Sequence, residues 1–133
     1  TDTQFTVSER WEVNQSGVGY ISYLFASLDG ISKVGSYTGD GTTDHSKAID
    51  CGFTTGARFV LIKKTSSGGS WKVFDTARGM AVSTSDPELI LNTTDAESTN
   101  GDCINTASSG FTLSNITGGL NDSGSTYIFY AIA

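Results

Sequence analysis

Two runs of residues decide the fold: Ala57-Arg58-Phe59-Val60-Leu61-Ile62-Lys63 and, after a turn rich in Gly and Ser, Trp71-Lys72-Val73-Phe74. Both runs are rich in aromatic and β-branched residues. Short runs of this composition, bounded by turn residues, are typical of β-strands. The two runs therefore predict two neighbouring β-strands joined by a short connection.

Similar runs recur along the whole chain at short spacing. The further predicted strands are Gln4–Ser8, Gly19–Ala26, Glu88–Leu91, Gly110–Ser114 and Tyr127–Ile132. No window combines a sustained helical period with a cap at each end. The pattern predicts an all-β fold, an antiparallel β-sandwich or jelly-roll-like architecture with little or no helix.

The bulk composition limits the classes of partner. The 133 residues include 14 acidic and 8 basic side chains, which give a formal charge of -6. This balance disfavours binding to phosphate backbones or anionic lipid, so neither nucleic acid nor a membrane is an expected partner. Only 17% of the residues are charged, while 16 Gly and many Ser and Thr supply the polarity. Such a surface favours an extracellular protein.

Two segments near the N-terminus resemble two segments near the C-terminus, a sequence similarity here called the echo. Phe5-Thr6-Val7-Ser8 corresponds to Phe111-Thr112-Leu113-Ser114, and residues 14–23 correspond to residues 121–130 at an offset of 107, one more than the first pair. Each copy reads as strand, Asn-x-Ser-Gly turn and aromatic strand. A repeat this far apart predicts that residues 1–26 end a preceding repeat, or form a connector hairpin, and that 27–133 form one complete β module.

Two other interpretations of the echo remain open. The two hairpins could lie side by side in a single domain, or the first hairpin could complete the sheet of an adjacent subunit. In each case the aromatic residues of the first hairpin are candidates for assembly contacts, namely Phe5, Trp11, Tyr20 and Tyr23. All three interpretations are structural or concern assembly, and none is catalytic. The expected partners are neighbouring copies of the chain, in a homo-oligomer or a tandem array.

Trp71, Asp75 and Arg78 form the most distinctive chemical group in the sequence. In a ligand-binding interpretation, Trp71 stacks on a sugar ring while Asp75 and Arg78 bond to its hydroxyl groups. In a structural interpretation, which is favoured, Trp71 is buried and Asp75 pairs with Arg78 at the end of a strand.

The remaining candidates for chemistry are weaker. Asp40 and Asp44, in a Gly-containing loop, could offer oxygen ligands to calcium, although solvated turn carboxylates are favoured. His45 is expected to be a loop histidine, because no nucleophile elbow accompanies it. Cys51 and Cys103 can form one disulfide or remain buried free thiols. No cofactor, metal site or enzymatic activity is expected.

Seven segments of the chain carry a family resemblance. They are residues 35–41, 49–53, 57–63, 71–79, 91–97, 109–113 and 121–133, which cover most of residues 35–133. In this order they resemble a domain of unknown function found in tail-fibre-like and other structural proteins of bacteriophages. The resemblance implies a β-rich virion module located outside the host cell, often in a repetitive, oligomeric assembly. It carries over no catalytic or binding residue.

Together these observations predict a non-enzymatic structural and adhesive module of a bacteriophage appendage or surface. Weak, multivalent binding to bacterial surface glycans would suit such a module, because many poor sites act together. The alternative is a pure assembly protein, a capsid-decorating or filament subunit that exchanges β-strands with its neighbours. An exposed aromatic groove near Trp71 would favour the first, and an extruded segment 1–26 would favour the second.

Overall fold

The computed structural model describes residues 4–81, 85–116 and 119–133. Within them, nine strands follow one short helix. The elements are α1 (Trp11–Asn14), β1 (Ser32–Thr38), β2 (Lys47–Asp50), β3 (Phe59–Lys64), β4 (Trp71–Asp75), β5 (Asp86–Ile90), β6 (Ser98–Asn100), β7 (Ile104–Ala107), β8 (Gly110–Leu113) and β9 (Thr126–Ile132). No helix in the described ranges has the length and apolar character needed to cross a membrane.

The strands form two antiparallel sheets, which confirms the predicted all-β sandwich. The larger sheet has the order β1-β9-β3-β4-β5-β6, and the smaller has the order β2-β8-β7. The last strand, β9, therefore lies inside the larger sheet and pairs with both β1 and β3.

The core lies between the sheets and is lined by inward-facing residues of β1 to β4 and β7 to β9, as expected where one face of a sheet is buried. Phe111 of β8 meets Phe129 of β9 edge-on, with ring centroids 5.4 Å apart. Tyr37 and Tyr127, which are opposite each other in β1 and β9, stack at 4.8 Å. The first contact joins the two layers, and the second holds β9 against β1 within the larger sheet.

The five strands predicted from Ala57 onward are present as β3, β4, β5, β8 and β9. The strands predicted over Gln4–Ser8 and Gly19–Ala26 are wrong, because neither segment pairs with a sheet. A strand needs a partner for its backbone hydrogen bonds, and composition alone does not supply one. Residues 1–3 of the predicted segment 1–26 lie outside the described residues.

Residues 4–31, here called the N-terminal arm, precede the sandwich. Every residue of this arm is exposed, and its only regular element is α1. Its last residues are fastened to β1, since Ser32 Oγ donates to Ala26 O at 2.8 Å and Val34 N donates to Ser27 Oγ at 3.0 Å. The buried core contains no residue of the arm.

Candidate interaction surface

The N-terminal arm presents an unusual density of apolar side chains to solvent. Twelve large apolar residues between Phe5 and Ile31 are exposed, with Trp11 at 73% and Tyr23 at 80%. Phe5 and Tyr20 are also exposed. All four aromatic residues predicted to make assembly contacts are therefore accessible. Trp11 begins α1 and the other three lie in irregular chain, so none is on a paired β-hairpin.

The outer face of the larger sheet is also apolar. In the strand register, Val34, Tyr130, Leu61 and Val73 lie opposite one another across β1, β9, β3 and β4. They point away from the core because the alternate residues Val60, Ile62 and Phe74 belong to it. Polar residues usually occupy the solvent face of an antiparallel sheet, so this face is unusual.

The end of the arm already touches this outer face. The ring of Phe25 lies 4.5 Å from that of Tyr130, and an open groove of about 580 Å³ runs between Tyr23, Phe25, Leu61 and Trp71. Leu61 is only 8% exposed despite its outward direction. The end of the arm and the outer face therefore line one apolar groove.

The structure places Trp71 and Asp75 at opposite ends of β4. Trp71 is 36% exposed and lies in the groove, contrary to the favoured prediction that it is buried. Its backbone N–H donates to Asn92 Oδ1 at 2.8 Å, which fixes the strand end. Trp71 is therefore accessible, but the predicted three-residue sugar site is not assembled.

Asp75 and Arg78 form the predicted ion pair, with Arg78 Nε 2.6 Å from Asp75 Oδ2. Arg78 Nη1 also contacts Glu97 Oε2 at 3.1 Å, and Nη2 donates to Val73 O. Burial acts to raise the pKa of Asp75, but the hydrogen bonds from Arg78 outweigh it and lower the pKa. The guanidinium group thus joins β4 to the segment before β6.

The two candidate calcium ligands are occupied by local hydrogen bonds. Asp40 Oδ1 accepts from Thr42 N, Thr42 Oγ1 and Asn121 Nδ2 at 3.0, 2.7 and 2.8 Å. Chiefly through Thr42, these bonds lower the pKa of Asp40 to about 2. Asp44 Oδ1 accepts from Ser46 N. No group of three or more His, Cys, Asp or Glu side chains in the described ranges is arranged to hold a metal ion.

His45 is less solvated than predicted for a loop histidine. Its side chain is 17% exposed and its Nε2 lies 3.1 Å from Asp102 Oδ1, in an orientation that forms no hydrogen bond. Its backbone is left-handed, with φ 58°. This conformation is uncommon outside glycine. The residue closes the turn before β2 against the segment that precedes Cys103.

Sequence reasoning missed two inward-facing carboxylates on β5. Asp86 Oδ2 accepts from the backbone N–H groups of Cys103 and Ile104 at 2.7 and 2.9 Å, and burial raises its pKa. Glu88, which is 2% exposed, pairs with Lys72 at 2.8 Å. The acidic residues alternate around Pro87, a spacing that places both on one face of a strand. Both carboxylates tie strands together inside the sandwich.

Cys51 and Cys103 are buried free thiols. Cys51 bonds to Ser109 through its backbone N–H, and Cys103 accepts from Ser114 N at the other end of β8. Ser109 and Ser114 are separated by five residues of extended chain, so the two cysteines lie about 16 Å apart along the direction of β8. A disulfide needs Cα atoms within about 7 Å. The disulfide alternative therefore does not fit this fold.

Comparison with known proteins adds one finding. A family model described as a domain of unknown function, DUF7483, matches residues 1–133 and so covers both the N-terminal arm and the sandwich. No curated protein and no solved structure matches the chain significantly. The chain, a β-sandwich preceded by an apolar arm, belongs to the DUF7483 family of domains of unknown function.

Proposed function

We propose that the chain is a non-enzymatic structural module that packs against further copies of its own fold in an extracellular assembly. The observation that supports this most strongly is the N-terminal arm, in which twelve large apolar side chains are exposed and none belongs to the core. The apolar outer face of the larger sheet adjoins the end of this arm.

Exposure on this scale is energetically costly for an isolated molecule. Full burial of one large apolar side chain stabilises a protein by about 1.5–3 kcal/mol, and soluble monomers rarely expose contiguous apolar patches above a few hundred Å². Covering the arm and the outer face would therefore contribute strongly to association. A second copy is a suitable cover because it offers the same apolar chemistry.

The location of the assembly is proposed from the sequence. The resemblance to phage structural proteins favours the virion, and the sparsely charged, acidic surface is in keeping with an extracellular place. Copies of the module in a tail fibre or on a capsid surface would meet these conditions. A structural role also suits the carboxylates, since Asp75, Asp86 and Glu88 all bond within the fold.

The proposal is tested by the oligomeric state of the chain with and without residues 1–26, which carry most of the exposed apolar side chains of the arm. We expect residues 1–133 to self-associate as the concentration rises in analytical ultracentrifugation, and residues 27–133, which keep only the outer face, to associate much more weakly. Circular dichroism should show the same β content and a similar Tm for both, because the core contains no arm residue.

A matched variant separates the apolar surface from the length of the arm. Trp11→Ser with Tyr23→Ser keeps every residue of the arm but removes two of its most exposed aromatic rings. It should weaken association without changing Tm. If residues 1–133 stay monomeric up to the solubility limit, the proposed packing of separate chains against one another is contradicted.

Glycan binding is a second candidate function, favoured by the accessibility of Trp71. The indole ring lies in a groove beside Tyr23 and Leu91. Aromatic faces of this kind stack on sugar rings. If bacterial surface glycans bind there, Trp71→Ala should abolish the tryptophan fluorescence change on adding them, while Ile116→Ala, at another exposed apolar position, should not.

A further inference from the structure

The sequence echo between the two ends of the chain has a structural counterpart. Residues 111–114, one half of the echo, correspond to β8 and the residue after it, and residues 121–130 form the turn before β9 together with most of that strand. These two segments, here called the closing element, complete the two sheets, because β8 is the middle strand of the smaller sheet and β9 lies inside the larger one. The other half of the echo, residues 5–8 and 14–23, lies entirely in the exposed arm.

The arm reproduces the turn that precedes β9. Val18 N donates to Gln15 O at 3.2 Å, and at the corresponding place in the second copy Ser125 N donates to Asp122 O at 3.0 Å. Both turns contain a left-handed glycine at the matching place, Gly17 with φ 78° and Gly124 with φ 74°.

The tyrosine that follows each turn bonds back in the same way. Tyr20 Oη accepts from Gln15 N at 3.0 Å, and Tyr127 Oη accepts from Asp122 N at 3.1 Å. Each hydroxyl then donates to a backbone carbonyl further back, that of Trp11 at 2.8 Å and that of Gly119 at 2.9 Å. The turn in the arm, with the tyrosine that follows it, therefore has the local conformation of the turn before β9.

The two copies differ in what surrounds them. Tyr127 is 1% exposed and stacks on Tyr37 of β1, whereas Tyr20 is 47% exposed. Phe111 is fully buried, whereas Phe5 is 58% exposed. The arm thus resembles the closing element in sequence and in its turn, but its side chains are not packed in a sandwich.

We infer that residues 5–26 are the closing element of another copy of this fold, which precedes the present sandwich in the same polypeptide. This inference rests on the proposed function and specifies the partner: a sandwich made of the equivalents of β1–β7, with open places for β8 and β9. The arm would fill those places, and the repeat period would equal the offset between the two aromatic strands of the echo.

The position of the arm suits a tandem arrangement. Ala26 corresponds to Ala133, and both lie at the turn before β1, because Ser32 Oγ donates to Ala26 O and Ala133 N donates to Ile31 O. One copy would therefore begin beside the place where the previous copy ends. The contact between Phe25 and Tyr130 would then join the outer faces of successive copies.

One residue of the arm departs from the pattern. Ser22 corresponds to Phe129, whose ring covers Gly35 so closely that a Cβ there would lie 2.6 Å from it. Ser22 would leave this space empty in a sandwich with Gly35. By contrast, Ile21 matches Ile128 on the outer face, where no such space needs to be filled.

The test supplies the chain with the sandwich that its arm is inferred to fit. In an extended chain, a second copy of residues 27–110 is placed directly before Phe5. The added copy ends at Gly110, because a Cβ at that position would clash with the carbonyl of Ile49. Hydrogen–deuterium exchange of the arm is then compared between this extended chain and the 133-residue chain. Light scattering identifies the monomer, so that closure within one polypeptide is distinguished from exchange between two.

We expect residues 20–26 to exchange fast in the 133-residue chain and at least tenfold more slowly in the monomeric extended chain. Ser22→Phe should slow exchange further and raise the Tm of the added sandwich, because it restores the ring over Gly35. Ile21→Phe, which adds a ring on the neighbouring outward position, should not.

The inference is overturned if the arm still exchanges fast in the extended chain with Ser22→Phe, or if both phenylalanine variants act alike. Protection found only in dimers would assign the arm to another molecule and also overturn it. If the 133-residue chain nevertheless self-associates through its arm, the proposed function stands and only the inferred partner falls. Fast exchange together with a monomeric full chain would contradict both.

Discussion

Asn121 joins two loops at one end of the sandwich. It is fully buried, its Nδ2 donates to Asp40 Oδ1 and to Thr42 O, and its Oδ1 accepts from Asp40 N at 3.0 Å. Gly39 lies so close that a Cβ there would clash with the carbonyl of Asp122. The loop after β1 and the turn before β9 are therefore held together by one amide side chain.

The echo supplies a matched control for this residue. Asn121→Ala should lower the free energy of unfolding by about 1–3 kcal/mol, because it removes the hydrogen bonds by which this buried side chain joins Asp40 and Thr42. Asn14→Ala removes the same side chain from the corresponding turn of the exposed arm, and should change the stability by less than about 0.5 kcal/mol. Urea denaturation of the full chain measures both, and equal losses would contradict the structural difference between the two turns.

Residue-level predictions from sequence succeed where the cause is local. The Asn-x-Ser-Gly turns follow from the tolerance of Gly for positive φ and from the side-chain hydrogen bonds of Asn. The ion pair of Asp75 with Arg78 is also local, three residues apart. The exposure of Trp71 and the bonds of Asp86 depend on distant strands. The alternation of Asp86 with Glu88 indicates a shared face of a strand, but not that this face is buried or what Asp86 bonds to.

At the level of elements, predicted and observed strands agree where aromatic and β-branched residues are dense. Four strands, β1, β2, β6 and β7, were not predicted, because they are short or carry aromatic and β-branched residues only sparsely. Their partners impose the extended conformation, since β1 pairs with β9 over its whole length and β2 pairs with β8. In the arm, strand-like composition is present but a partner is lacking, so the predicted strands do not form.

The pairing of β1 with β9 depends on close contact at Gly35. Gly35→Ala should lower the free energy of unfolding by about 1–3 kcal/mol, because the new Cβ would crowd the ring of Phe129. Gly68→Ala is the control, since a Cβ at that loop position meets no atom within 4 Å. In chemical denaturation, the loss at Gly35 should shrink when Phe129→Leu is also present, and simple additivity would contradict the proposed contact.

On the scale of the whole molecule, the sandwich is held by burial and hydrogen bonds, with both cysteines free. Cys51 and Cys103 lie in the core near opposite ends of β8. Burial raises the pKa of Cys51 to about 11 and also raises that of Cys103. Both thiols are therefore protonated and shielded in the folded chain at neutral pH.

This predicts how the thiols react. In native buffer without reductant, a thiol reagent such as dithionitrobenzoate should react slowly, because the reactive thiolate is scarce and buried. After unfolding in guanidinium chloride, both thiols should react rapidly. An unfolded, unreduced chain with no reactive thiol and a mass lower by two hydrogens would contradict the free cysteines of this fold.

The place of β9 between β1 and β3 also governs when the protein can fold during its synthesis. Ser32 leaves the ribosome about 90 residues before β9 does, a delay of roughly 5–20 s at ordinary elongation rates. Through this interval β1 and β3 lack the strand that pairs with both of them. Until β9 emerges, the nascent chain cannot complete the larger sheet, so the edges of β1 and β3 and the aromatic core residues stay uncovered. A chaperone that shields apolar segments would act on the nascent chain during this interval.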